Sequence, residues 1–466
     1  MNKIQFFKST AFSCALLTSI TLISFQPTFA AVECNSTSVT SGAYTFIVFK
    51  AVSEIPGNSE STLPCTWNIP SGLKLVDYLL VGGGGGGANP HSGGGGGGGF
   101  KSDTAIDVST IEIVYISIGL GGEGAKNSTG DSPGLSGGDS IVSTIYEVGD
   151  PTAISATGGG GGGSNVGKDG GSGGGVFGNN TVGRGVAGQG NNGGKGTTGF
   201  LTASSTKYYV YVGGGGGGAG TIGGSSPTYN ATKGNFPAGK GGDGKLWRTE
   251  LTVGIANSLG ISNMLFDSGN VYFSGGGGGG NASQSYYFPP TSSTPAAGGK
   301  GGGGSGGLGK TTTPATSGVA SSGGGGGGGY IRNTVKNSGD GGSGIAIVRY
   351  LTPSSLAFES SSSAQLLGNL TYRQNTNLSL VASVAGKVTF KIKGKVIPGC
   401  KNKKVNSANS FSATCSYKPA SRGYVSMVAT LVPTEVNDAG TVSIVEKYFV
   451  QGRTVPRLSI NFFNST

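Results

Sequence analysis

Few residues in this chain could carry out a reaction. His91 is the only histidine, set between Pro90 and Ser92 with glycine runs on either side, which reads as a solvated loop rather than an acid–base site. Asp103, Asp107, Glu112 and Glu123 are scattered and offer no carboxylate pair at the spacing that glycoside hydrolysis demands. No set of Ser, His and Asp has the order or setting of a hydrolase triad. Gly306-Gly307-Leu308-Gly309-Lys310-Thr311 comes nearest to a phosphate-cradling loop, but its spacing from Gly304 fails and Thr312-Thr313-Pro314 stands where a helix must follow. Asp243 and Asp340 precede glycine and read as turn residues. The expectation is a protein that is not an enzyme and uses no cofactor and no metal.

What the chain has instead is glycine: 97 of 466 residues, against roughly 7% in ordinary proteins. Six runs stand out, Gly82–Gly87, Gly93–Gly99, Gly158–Gly163, Gly213–Gly218, Gly275–Gly280 and Gly323–Gly329. Between residues 31 and 350, short strings rich in β-branched and aromatic residues lead into the glycine. They include Leu73–Val81, Ile111–Ile118, Lys207–Val212 and Ile345–Tyr350, and all read as strands. Long helices are nearly absent; Glu250 to Leu265 is the best candidate, interrupted by Gly254 and Gly260.

Flexible linker is the plain reading of such runs. The coupling to strands argues for order, as do hydrophobes such as Val176, Phe177, Leu246, Trp247 and Phe266 between them. The ordered alternative is the polyproline II conformation, with three residues per turn and no internal hydrogen bonds. Six residues at about 3.1 Å rise span roughly 19 Å, close to an ordinary strand, so rods and strands could form matched layers. Their amides and carbonyls would have to be satisfied by one another. Trp67 and Trp247 are expected to anchor the β-core or a run boundary rather than to stack on sugar.

The ends differ in character. Residues 1–30 read as an export signal: Lys3 and Lys8, an apolar stretch from Ala11 to about Phe25, then Thr28-Phe29-Ala30. A retained membrane anchor is the alternative. No C-terminal sorting signal is evident, so the expected location is secreted or non-covalently attached to the cell surface. Cys34, Cys65, Cys400 and Cys415 follow the signal, and an even count in an exported chain reads as disulfides. Proximity favours Cys34–Cys65 and Cys400–Cys415, although four cysteines permit three pairings.

Residues 351–361 form a Ser-rich junction. From 362 to 466 the glycine runs stop, and Asn377–Val384, Lys387–Lys393, Phe411–Tyr417 and Tyr424–Leu431 repeat between turn signals, the rhythm of a small β-sandwich. From Pro353 onward thirteen Lys/Arg oppose four Asp/Glu, or +9 of the formal +11. An exported domain so charged either serves solubility alone or docks on an anionic wall polymer or cell-surface glycan, with Lys393, Lys395, Lys403 and Lys404 in its densest part. Nucleic acid is not expected, since aromatic interleaving is slight. Tyr286, Tyr287 and Tyr330 are expected to be exposed for ligand contact, and the stretches Asn281–Thr294 and Ser225–Pro237 to project as binding loops. Self-association is the other partner class left open.

Several ordered pieces resemble known families. Trp67-Asn68-Ile69-Pro70, Leu79-Leu80-Val81 before glycine, Ile118-Gly119-Leu120-Gly121-Gly122-Glu123-Gly124, and Gly323–Tyr330 followed by Asp340–Val348 are similar to a glycine-rich domain of bacterial surface proteins and phage tail-fibre or receptor-binding proteins. The same order resembles the glycine-rich extracellular region of the anaplastic lymphoma kinase and leukocyte tyrosine kinase receptors. That likeness implies a mostly β fold, a β-sandwich core carrying packed polyglycine II-like helices. Receptor function is not implied, as the extra cysteines, spanning helix and kinase are missing. Gly386–Phe390, Gly394–Cys400, Ala413-Thr414-Cys415 and Gly423–Thr430 resemble bacterial immunoglobulin-like repeats, which implies a C-terminal immunoglobulin-like β-sandwich with a Cys400–Cys415 bridge. The function implied is non-enzymatic adhesion to cells or glycans through loops on a rigid scaffold. A structural envelope or filament component is the alternative.

Overall fold

Alternation along the strands explains how residues 32–352 are layered. A computed structural model describes residues 32–33, 35–51, 64–90, 92–126, 132–145, 150, 152–178, 180–203, 206–227, 237–262, 265–283, 295–309, 313–332, 334–352, 356–358, 369–434 and 441–452. The expected export signal, Cys34, His91, Tyr286, Tyr287 and Lys310-Thr311 lie outside them. The described chain is mostly strand, with one short α-helix, Val253–Ser258.

One five-stranded sheet orders Asn35–Ser41, Tyr44–Lys50, Ile345–Leu351, Leu75–Val81 and Phe100–Asp107. Its central strands are buried on both faces, because successive side chains point to opposite sides. Ile47, Phe49, Leu80, Ala346 and Val348 join one core, while Phe46, Val48, Leu79, Val81, Ile345 and Ile347 join another. The first core is completed by a second five-stranded sheet containing Cys65–Asn68, Ile113–Ser117 and Ser140–Ser143. The other is completed by Leu251, Ala256, Leu259, Leu265 and Phe273, from around the helix. Trp67 stacks on Tyr350 at 6.3 Å and tilts against Phe49 at 5.9 Å, so it anchors the first core. Trp247 packs against the second.

The helix occupies part of the Glu250–Leu265 segment. Thr252 caps it by accepting from the Ile255 N–H, and Gly260, at φ +66°, turns the chain away. Lys50 Nζ donates to the Gly260 carbonyl at 2.7 Å.

Every described strand up to Leu351 pairs within residues 32–351, and every one from Leu356 onward pairs within 356–451. In the latter region, Gly423–Pro433 lies between Gly386–Ile392 and Val442–Gln451. Thr376–Ala382 pairs with Ser412–Tyr417 in a separate sheet. Leu378 and Leu380 from one sheet meet Val388, Phe390, Met427 and Leu431 from the other in a common core.

Cys400 and Cys415 are bridged within that core. The bond closes a 15-residue separation, which constrains the unfolded chain by about 3 kcal/mol. The double variant C400A/C415A is expected to lose about that much stability, read as a lower urea midpoint for this region. Cys65 is also disulfide-bonded; its expected partner, Cys34, lies outside the described residues.

Candidate functional site

A glycine run offers only backbone, so its chemistry is the direction of its N–H and C=O groups. In Gly82–Gly87 these directions repeat every third residue. Gly82 and Gly85 donate to Gly99 and Gly96, Gly83 and Gly86 to Gly138 and Leu135, and Gly84 and Gly87 to Gly342 and Gly339. The run also accepts from three further segments: Gly83 and Gly86 from Gly159 and Gly162, Gly84 and Gly87 from Gly122 and Ala125, and Gly85 from Gly326. A rod with three residues per turn thus has six neighbours, donating to three and accepting from three.

Gly93–Gly99 is the hub. Its seven N–H groups donate to Gly163, Gly214, Gly326, Gly160, Gly217, Gly323 and Thr157 at 2.6–3.2 Å. Its carbonyls accept from Gly85 and Gly82, from Gly175 and Ser172, and from Gly277. It is therefore bonded to all five other glycine runs. The approach is close enough that a Cβ at Gly95 would fall within 3.0 Å of the Gly85 and Gly86 backbone. Strands and rods are continuous: Leu75–Val81 runs into Gly82, and Gly99 into Phe100–Asp107.

The same period governs side chains on the flanking rods. Glu123 and Lys126 pair at 2.8 Å, and Lys240 and Asp243 at 3.1 Å, each three residues apart. The Glu123 hydrogen bond raises the Lys126 pKa above its ordinary value, against slight burial. Asp243 and Asp340, read above as turn residues, stand within rods instead. Their carboxylates accept backbone N–H groups of neighbouring segments, Asp243 from Lys300 at 3.1 Å and Asp340 from Gly124 at 2.8 Å. Asp139 does the same for Gly158 and Asp169 for Arg184, at 2.8 and 2.7 Å. Partial burial pushes the Asp243 carboxyl up, but the Lys300 amide and the Lys240 ammonium outweigh it and hold its pKa low. These acids therefore satisfy stray amides. Acids and lysines three apart in glycine-rich sequence were the available signal.

The most buried charge lies beside the central sheet. Arg349, 5% exposed, gives Asp77 two bonds, from Nη2 at 2.6 Å and Nε at 2.9 Å, and Glu250 one from Nη1 at 2.9 Å. Its guanidinium stacks over Tyr44 at 4.4 Å, and Arg248 approaches Asp77 at 3.3 Å. Burial lowers the Arg349 pKa, yet its carboxylate partners more than compensate and raise it overall. Every group is spent on holding strands Leu75–Val81 and Ile345–Leu351 to the segment before the helix.

The expected binding residues separate. Tyr330 is not exposed: it is fully buried, because it closes the rod Gly323–Gly329 and its ring lies where a Cβ on Gly307 would be. The lysines share one edge of a sheet but not one face. Gly386–Ile392 pairs on the same side with Lys395–Val396 and Lys403–Val405, setting Lys395 opposite Ile392, Lys404 opposite Lys387 and Lys403 opposite Val388. Lys393, at φ +48°, makes the intervening turn. Lys393, Lys395 and Lys404 are exposed and Lys403 is half-buried.

Among the described residues no group of three His, Cys, Asp or Glu could hold a metal ion, and no helix is long and apolar enough to cross a membrane. The glycine-rich domain family matches residues 58–351, more than half of the chain and the whole set of rods. The chain belongs to the glycine-rich domain family. No curated protein matches it. The glycine-rich domain family is not associated with catalysis, and in this member Asp77, Asp139, Asp169, Asp243 and Asp340 serve as acceptors within the fold.

Proposed function

We propose that this chain is a non-enzymatic, exported bacterial surface protein whose glycine-rich domain is a rigid scaffold presenting binding segments for adhesion to cells or glycans. In this reading the rods are polyglycine II helices beside a β-sandwich. Residues 362–466 form an immunoglobulin-like sandwich that spaces or supplements the scaffold. The observation that carries the reading is the bonding of Gly93–Gly99 to all five other runs, since a hub tied on every side holds the ends of each rod in fixed places. The segments read as binding loops are Ser225–Pro237 and Asn281–Thr294, the second carrying Tyr286 and Tyr287; 228–236 and 284–294 lie outside the described residues.

The test is a glycan array together with cell pull-down, using the mature chain. Replacing 284–294 or 228–236 by Gly/Ser of equal length is expected to abolish saturable binding without lowering the unfolding midpoint. Self-association with no selective ligand, unaffected by either replacement, would instead identify a structural envelope or filament component.

A further inference from the structure

The lysine-bearing edge of the C-terminal region borders a cleft of about 360 Å³. It lies where the strand Lys395–Val396 of one sheet faces the end of Ser412–Tyr417 of the other. Lys395 and Lys418 line it, with Tyr417, Ser416, Val396 and Pro398. Among the described residues neither lysine is in an ion pair. A second basic group lies on the other face of the sheet, since Lys395 pairs with Ile392 and not with Lys391. Lys387 and Lys404 face each other directly across two strands, an arrangement that is destabilising when left alone. Lys391 lies on the same face of its strand as Lys387, four residues away.

We propose that this cleft holds one carboxylated sugar of an acidic polysaccharide. Lys395 and Lys418 pair with the carboxylate, and Tyr417, Val396 and Pro398 pack against the C–H face of the ring. Two features favour a polyuronate over a bare polyanion. The lining combines two cations with an aromatic and apolar floor, which a phosphate chain cannot use. The volume also admits a ring rather than a lone ion. The inference rests on the adhesive reading only in that the chain must reach such a polymer.

Alginate oligomers titrated calorimetrically into the mature chain provide the test. We expect saturable, salt-sensitive binding that Lys395→Glu weakens by about tenfold or more. Lys74→Glu, the same charge change on an exposed site of the glycine-rich domain, is expected to leave it nearly unchanged. Tyr417→Ala should weaken binding while leaving its salt dependence intact. No binding of alginate overturns the proposal, as does equal weakening by Lys74→Glu and Lys395→Glu, which marks general charge attraction. Polyphosphate or single-stranded DNA binding as tightly as alginate also overturns it. Loss of cell binding on replacing 284–294, with alginate affinity unchanged, would leave both readings standing; the reverse pattern sinks this one alone.

Discussion

Gly95→Ala is expected to abolish cooperative folding of the glycine-rich domain, an effect larger than the 1–3 kcal/mol that overpacking usually costs. The added methyl would meet the backbone of Gly85 and Gly86, and no side chain is there to swing aside. Gly95 also donates to Gly326 and accepts from Gly277, so displacing it pulls on three runs together. Hydrogen bonds of about 1 kcal/mol net each are of the same order as the roughly 1–2 kcal/mol of backbone entropy lost per residue. The rods therefore have little surplus with which to absorb a misfit. Gly254→Ala is the control: it lies within the short helix and has only Thr252 Oγ1, at 3.9 Å, near the new atom. That change should stabilise by about 0.5–1 kcal/mol. Calorimetry of both variants checks the contrast, and a normal transition for Gly95→Ala would show that the rods are not packed as described.

Arg349→Ala is expected to cost about 3–5 kcal/mol, the usual penalty for leaving one partner of a buried ion pair behind. Asp77, with 15% of its side chain exposed, would lose both Arg349 bonds and keep the Ala105 amide and the longer contact with Arg248. The Tyr44 ring would lose the cation stacked on it. Converting Asp77 to Asn in the same chain removes the stranded charge, so the double variant should recover part of the loss. Urea denaturation of the two singles and the double gives the coupling directly. A loss below about 1 kcal/mol for Arg349→Ala would place the pair with solvent-exposed bridges instead.

Much of the architecture could be read from residue types. Leu73–Val81, Ile345–Tyr350 and the four C-terminal strings all contain strands close to where pattern predicts them, because β-branched and aromatic runs bounded by glycine have few other options. Tyr44–Lys50 falls outside that grammar: no glycine run follows it, yet it becomes an inner strand buried on both faces. The glycine runs reveal rods but not partners, since identical residues carry no side chains to encode which rod lies beside which. Tyr330 shows the same limit. An aromatic after seven glycines gives no local sign that another rod will cover it. The acids were misread for a related reason, as Asp-Gly marks a turn in ordinary chains but a cross-rod acceptor here. The cleft between Lys395 and Lys418 was only partly legible, because Lys418 enters it from the opposite sheet.

The wiring of the hub has a temporal consequence. Gly95 donates to Gly326 and accepts from Gly277, both far along the chain, so the central contacts have high sequence separation. Such pairings form late and slowly, because long loops must close before any of them is rewarded. Until Gly326 is available the middle rod lacks one of its walls, so the hub closes only after nearly all of the glycine-rich domain has been made.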